Sequence, residues 1–196
     1  HHLLSQNPNL NEEVLPRFGL VHRIDKNTTG LIVLAKTAEA ASHLAKQFFN
    51  HTVERKYVAL VWGDMEQDEG TVVAHIARHK TFRKMFDAYP EGEVGKHAIT
   101  HYKVIERYNY TTLVSCILET GRTHQIRVHF NALRHPLVGD LAYGGDPVLA
   151  ARLELKRPWL HAIELSFNQP VSDERITLNA PLPDDLKRAL ELLELK

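Results

Sequence analysis

The sequence predicts an α+β fold built on a mixed, mostly antiparallel sheet. Three observations carry this. Strand-like runs dominate and helix-like ones are few. Residues 98–107 and 111–118 read as an antiparallel pair around a short connection, Tyr108-Asn109-Tyr110. Clear helical patterning is confined to an alanine-rich segment at 40–49 and an amphipathic one at 184–193. The chain has 196 residues, 43% of them apolar, and shows no repeat or low-complexity tract. One domain spanning 1–196 is expected.

Taken in order, Phe18–His22 and Leu31–Lys36 are short apolar runs that read as strands. Thr37 is placed to cap a helix over Ala40–Phe49, with Ala41, Leu44, Ala45 and Phe48 along the face that packs on the sheet. Lys56–Trp62 is a strand ended by Gly63. Glu69-Gly70 reads as a turn into a strand at Thr71–Ile76. Phe82–Tyr89 is strand-like, and Pro90-Glu91-Gly92-Glu93 is a turn. Between 123 and 133 two periods compete. Ile126, Val128 and Phe130 alternate, whereas Ile126, Phe130 and Leu133 fit a helix. The helix is preferred, because Gly121 breaks the preceding strand and Thr123 can cap. It places His124 and Arg127 on one face. Tyr143-Gly144-Gly145-Asp146 is a turn rather than a phosphate loop. Leu160–Phe167 and Arg175–Asn179 are strands, and a helix over Asp184–Leu193 starts at Pro183-Asp184.

Composition narrows the function. Lone Cys116 excludes an internal disulfide framework and suits a reducing compartment. No run reaches the roughly 18 apolar residues of a membrane span, and the first residues lack the apolar core of a secretory leader. A cytoplasmic monomer with no membrane partner is expected. The first residue is not Met, so the chain reads as part of a longer protein. Its 24 basic and 24 acidic residues cancel, which is not the footprint of a general DNA or RNA binder. The charges are uneven, however. Arg78-His79-Lys80 with Arg83-Lys84, and Arg122 with Arg127 and Arg134, form local basic clusters able to meet phosphates. Thirteen histidines invite a metal reading. His97 and His101 fall in a strand, and His124 and His129 lack the spacing of a zinc helix, so no metal set is expected.

The most informative stretch is Val21-His22-Arg23-Ile24-Asp25-Lys26-Asn27-Thr28-Thr29-Gly30. It holds one aspartate between two cations in a loop closed by glycine, and Leu31-Ile32-Val33-Leu34-Ala35 follows. A carboxylate beside fixed positive charge stays ionised, which suits a nucleophile better than an acid. Taken alone, the same loop reads as a surface turn with an Arg–Asp pair.

The full string, His22 to Lys36, resembles the signature of the RluA-type pseudouridine synthases. Further stretches resemble that family in the same order: Arg55-Lys56-Tyr57, Glu119 to His129, His135-Pro136-Leu137-Val138-Gly139-Asp140, Tyr143-Gly144-Gly145 and Leu160-His161-Ala162. The strings around 121–129 and 135–140 look most like the RluD branch, which modifies large-subunit ribosomal RNA. The resemblance implies a long bent sheet with helices on its outer face and an RNA cleft across it. It implies isomerisation of uridine to pseudouridine by Asp25, without cofactor or metal, in a base taken out of the stack.

Arg127 matches the arginine that pairs with that aspartate and orients it. Tyr57 matches a tyrosine whose ring stacks on uracil and whose hydroxyl takes the C5 proton. Arg23 matches the arginine that enters the RNA where the base has left. Ile126 supplies an apolar wall, and His22, Thr29, Arg122 and His124 complete the expected RNA contacts. Members often carry an S4-like RNA-binding domain upstream. Only 24 residues precede Asp25 here, so that domain is absent from the chain as read. Two alternatives stay open: a catalytically inactive RNA-binding domain of the same fold, and a metal-dependent hydrolase using His22 and Asp25.

Overall fold

The computed structural model describes residues 15–194. The leader reading concerned the first residues and lies outside them. The strands are β1 (Thr29–Gly30), β2 (Glu54–Trp62), β3 (Glu69–Arg78), β4 (Phe86–Tyr89), β5 (Lys96–Tyr108), β6 (Thr111–Leu118), β7 (Leu160–Asn168) and β8 (Arg175–Asn179). The helices are α1 (Ala38–Phe49), α2 (Gln125–Ala132), α3 (Pro147–Arg152) and α4 (Asp184–Glu194).

All eight strands join one sheet, ordered β1-β7-β2-β6-β5-β3-β4. Every pairing is antiparallel except β1 with β7, so the sheet is mixed and mostly antiparallel, as predicted. β1 takes the start of β7's outer edge, at His161 and Ala162, and β8 takes the rest, from Glu164 to Asn168.

β2 is central, and its run Tyr57-Val58-Ala59-Leu60-Val61 is buried on both faces. Tyr57, Ala59 and Val61 pack with Cys116, Leu118, Ile126 and Phe130 under α2. Val58 and Leu60 face the other way, into a second layer with Leu153, Trp159 and Leu186. The period of two thus feeds two cores from one strand. The fully buried Trp159 donates its indole N–H to Leu186 O at 3.0 Å, which fastens α4 to that second layer.

Several expectations are corrected. Phe18–His22 and Leu31–Lys36 are not strands. They meet at one isolated bridge, Leu20 to Leu34, while Val21, Leu31 and Val33 pack against the α1 layer. Thr37 caps α1 as predicted, accepting Ala40 N–H at 3.2 Å, but Ala45 is exposed. Gln47 is buried instead, and its amide bonds both the N–H and the C=O of Asn168, at 2.8 Å each, which pins α1 to the end of β7. Glu69-Gly70 is no turn: the long β5 offers both residues partners, Lys103 and Tyr102. Of Phe82–Tyr89 only the last four residues are strand, because Met85 N–H bonds back to Phe82 O in a turn. α3 was not anticipated, although Asp146-Pro147 is a good start signal and Asp146 accepts from Val148 and Leu149 N–H.

Candidate active site

The signature loop is built around a tight turn in which Thr28 N–H bonds Asp25 O at 3.0 Å. Lys26 and Asn27 occupy the exposed tip. Gly30 closes the loop because β1 runs against β7 with no room for a side chain. A Cβ there would meet Ala162 O at 2.2 Å, and its φ of +112° is one that L side chains rarely adopt. Thr29 turns its hydroxyl to His161 Nδ1 at 2.8 Å, tying the loop to the sheet. The Asp25 side chain is left facing a cleft of about 520 Å³.

The cleft runs between the signature loop, α1, β2 and the start of α2. Asp25 is the only acidic side chain lining it among the described residues, and Arg23, Arg55 and Arg122 line it too. Tyr57, Leu118, Ile126 and Leu160 make the apolar wall. Of the residues predicted for the site, Asp25, Tyr57, Arg23, His22, Arg122, His124 and Ile126 all line the cleft. Thr29 and Arg127 do not, and Thr28 does.

The charge partners of Asp25 differ from the sequence reading. Among the described residues the cation nearest it is Arg127 Nη1 at 3.7 Å, with His124 Nε2 at 4.0 Å, from α2 and its cap, rather than neighbouring Arg23 and Lys26. Arg127 is held first by another carboxylate. Its Nε and Nη2 donate to the two oxygens of Asp140 at 2.6 and 2.8 Å, and Asp140 is 1% exposed. The Arg127 guanidinium also lies 4.6 Å from the centre of the Tyr143 ring.

Tyr143 in turn organises His124. Its hydroxyl accepts Phe86 N–H at 2.9 Å and is 2.7 Å from His124 Nδ1. With the hydroxyl donating to Nδ1, the ring hydrogen of a neutral His124 is on Nε2, the nitrogen that faces Asp25. Burial lowers the His124 pKa, against the opposing pull of Asp25. His124 itself is the cap of α2, in a left-handed conformation at φ 56°. Thr123 does not cap. No side chain caps the helix; the Gln125 amide instead ties down the turn before it, accepting Arg122 N–H at 2.9 Å and the Thr120 hydroxyl at 2.7 Å.

Asp140 and Tyr143 had been given no role from sequence. The signal for them was their place in the strings His135–Asp140 and Tyr143–Gly145. Their meeting with α2 depends on the chain folding back.

Tyr57 lies on the floor of the cleft, 8% exposed. Burial pushes its phenol up to about 12, against the opposing effect of Arg55. The phenol is therefore protonated at neutral pH. His22 is a wall rather than a charge. Its Nε2 accepts Val33 N–H at 2.9 Å, its ring stacks on Phe48 at 4.5 Å, and burial followed by Arg55 lowers its pKa to about 4. A metal held by His22 and Asp25 would have to do without that nitrogen lone pair.

Among the described residues, one metal-capable group occurs elsewhere. His75, Glu91 and His97 bring ligand atoms within 4.8 Å of one another, because β3 and β5 pair His75 with His97. None of the three lines the cleft. Glu91 is largely exposed and already 3.8 Å from His97.

Comparison with known proteins shows the family. Residues 2–132 match the family model described as RNA pseudouridylate synthase. The chain is 46% identical over 195 residues to the ribosomal large subunit pseudouridine synthase D of Nitrosomonas europaea, covering 97% of this chain and 55% of that protein. It is 45% identical over 177 residues to an uncharacterised RNA pseudouridine synthase of Mycobacterium bovis, covering 90% and 56%. The chain thus spans about half the length of the curated relatives it matches. Among solved structures, human RNA pseudouridylate synthase domain containing 1 superposes with a TM-score of 0.73 at 30% identity. That match covers 93% of this chain and 76% of the human one.

Proposed function

This chain belongs to the RNA pseudouridylate synthase family, and from that premise we propose that it isomerises uridine to pseudouridine in large-subunit ribosomal RNA. The observation that carries the reading is the cleft's charge pattern. A single carboxylate, Asp25, faces a cleft whose other charged lining is basic. An RNA strand needs the cations, and the reaction needs one carboxylate. The glycosidic bond must break, the uracil must turn over without escaping, and C5 must bond C1′. The routes by attack on the sugar, by attack on the base and through a glycal all draw on such a carboxylate.

Arg127 supplies positive charge beside Asp25, and Asp140 holds it from behind, so the dipoles are in place before substrate arrives. Tyr57 and Ile126 flank a flipped base with a ring and an apolar wall. Tyr57 is the base for the C5 proton. Since its phenol is protonated at rest, it takes the C5 proton only while passing its own to the nearby Asp25 carboxylate, which is free again once C5 has bonded C1′. Arg23, exposed at the mouth, fills the space left by the flipped uridine. Arg122 and His124 contact RNA, and His22 contributes a neutral wall. The protein acts on RNA as a monomer, without metal or cofactor, in the cytoplasm.

The inactive RNA-binding alternative is disfavoured by the joint presence of Asp25 and Tyr57 in one cleft with Arg127 beside Asp25. To test the reading, the chain is incubated with transcripts of large-subunit ribosomal RNA. Pseudouridine is then mapped by carbodiimide labelling and primer extension. New stops with the parent and none with Asp25→Asn are expected. RNA that is bound but carries no pseudouridine would convert the reading to the binding-only alternative.

A further inference from the structure

Arg55 is the second residue of β2, two before Tyr57, and both side chains line the cleft. Its partners do not account for it. Nη2 reaches Glu119 O only at 3.5 Å, and buried Nε has no hydrogen-bond partner. The guanidinium carbon is 5.9 Å from the Phe48 ring centre. Among the described residues, neither Arg55 nor Arg122 takes part in an ion pair.

The two arginines stand close enough to oppose each other's charge, which, after burial, lowers the Arg55 pKa. Arg122 is itself fixed, with Nε donating to His97 O at 2.8 Å, which leaves its terminal nitrogens for the cleft. Gly121 keeps the space open between them. A Cβ there would lie 2.4 Å from Arg55 Nη1.

A half-buried cation with no anionic partner, near a second cation, is costly. An anion shared by both would relieve that cost, and a phosphodiester fits a guanidinium fork in shape and charge. We propose that Arg55 and Arg122 together clamp one phosphodiester flanking the nucleotide whose sugar meets Asp25, and that Gly121 exists as glycine to admit the Arg55 fork. This rests on RNA being the substrate. It adds which atoms hold the backbone while the base turns over. Base contacts alone would leave the sugar unheld once its bond to uracil breaks, whereas a held phosphate keeps C1′ in place beside Asp25.

The test uses the whole chain and a uridine-containing stem-loop, with Kd measured across a range of KCl. Each phosphate contact contributes roughly 0.7–0.9 to the log–log salt slope. Arg55→Met should lower the slope by about that amount and weaken binding alike for different sequences. Arg55→Lys, which keeps the charge without the fork, should keep the slope and still lose affinity. Gly121→Ala should displace the guanidinium and weaken binding without any charge change. Arg188→Met, on α4, should leave the slope at the parental value.

Stem-loops in which one phosphate at a time is a neutral methylphosphonate then locate the contact. At one position next to the target uridine, the parent should lose affinity and Arg55→Met should lose none further. Circular dichroism checks that each variant is folded. A folded Arg55→Met with parental Kd and slope would overturn the clamp, as would methylphosphonate losses identical in the parent and the variant at every position. If the clamp signature appears but no pseudouridine forms, the phosphate site stands and the functional reading falls. If pseudouridine forms while the slope is unchanged in Arg55→Met, the clamp falls and the functional reading stands.

Discussion

Arg127 gives two of its nitrogens to the buried Asp140, at 2.6 and 2.8 Å, and turns only Nη1 toward Asp25, at 3.7 Å. The arginine that flanks Asp25 is thus anchored by a different carboxylate. Asp140, in the segment after α2, holds the fork in a plane. Arg127 in turn compensates a carboxylate that has almost no contact with water. The same guanidinium serves stability through one edge and, in the proposed function, the reaction through the other.

Arg127→Met should therefore damage both. Removing the cation strands Asp140 in the interior, at a cost of roughly 3–5 kcal/mol. The double variant Arg127→Met with Asp140→Leu removes both charges, so its melting temperature should recover much of that loss while turnover stays absent. Thermal melts and single-turnover assays of the parent, both singles and the double read this directly. A parental melting temperature in Arg127→Met would mean that the Asp140 pair carries no stability.

Asp25→Asn should behave differently. The contacts of Asp25 to Arg127 and His124 are long, at 3.7 and 4.0 Å, and the amide keeps the shape. Folding and RNA binding should be near parental, and pseudouridine formation should vanish. Product formation by a folded Asp25→Asn protein would remove Asp25 from the chemistry.

Tyr57→Phe separates the ring from the hydroxyl. The ring stays on the cleft floor, so the Kd for RNA should change little, while single-turnover release of pseudouridine slows sharply. Because burial puts the phenol at about 12, the parental rate should show no ionisation of Tyr57 between about pH 7 and 10. A Tyr57→Phe enzyme with the parental rate would leave this residue only its stacking role.

Stability should fall in acid, and His129 is one cause. It is fully buried on α2, with Nδ1 2.9 Å from the Thr100 hydroxyl and no partner for Nε2. Burial lowers its pKa from 6.5 to about 4. Between those values the unfolded chain binds a proton that the folded chain refuses. The folded state is thus fully favoured above pH 6.5 and loses ground as pH falls toward 4. The loss is roughly 2 kcal/mol at pH 5 for this group. Urea melts at pH 7 and pH 5 measure it. His129→Gln should be less stable at pH 7 but show a shallower decline, and an equally steep decline in that variant would clear His129 of the effect.

Much of the fold was legible in local sequence. Arg175–Asn179 is the predicted strand to the residue. Residues 98–107 and 111–118 pair as expected, within β5 and β6. Thr37 caps its helix, and α4 starts where Pro183-Asp184 indicated. Periodicity of two or 3.6, a capping side chain and a turn residue act within a few positions, so they can be read without knowing the rest of the chain. The failures share a cause. Leu31–Lys36 has a strand's composition but meets one bridging partner, and Glu69-Gly70 has a turn's composition but is given partners by β5.

By itself, the sequence identified the signature loop, its aspartate and the family resemblance, and it predicted an α+β sheet fold. The tertiary structure alone decided what surrounds that aspartate. Asp25 meets Arg127 and His124 about a hundred positions away, Arg127 is claimed by Asp140, and Arg55 is brought beside Arg122 with Gly121 between them. The order of strands places β2 next to β6 and β7, while α2 lies chiefly against β3, β4 and β5, and neither arrangement leaves a trace in local periodicity. Charge partners are chosen by proximity in space, because Coulomb and hydrogen-bond energies depend on distances of a few ångströms rather than on separation along the chain.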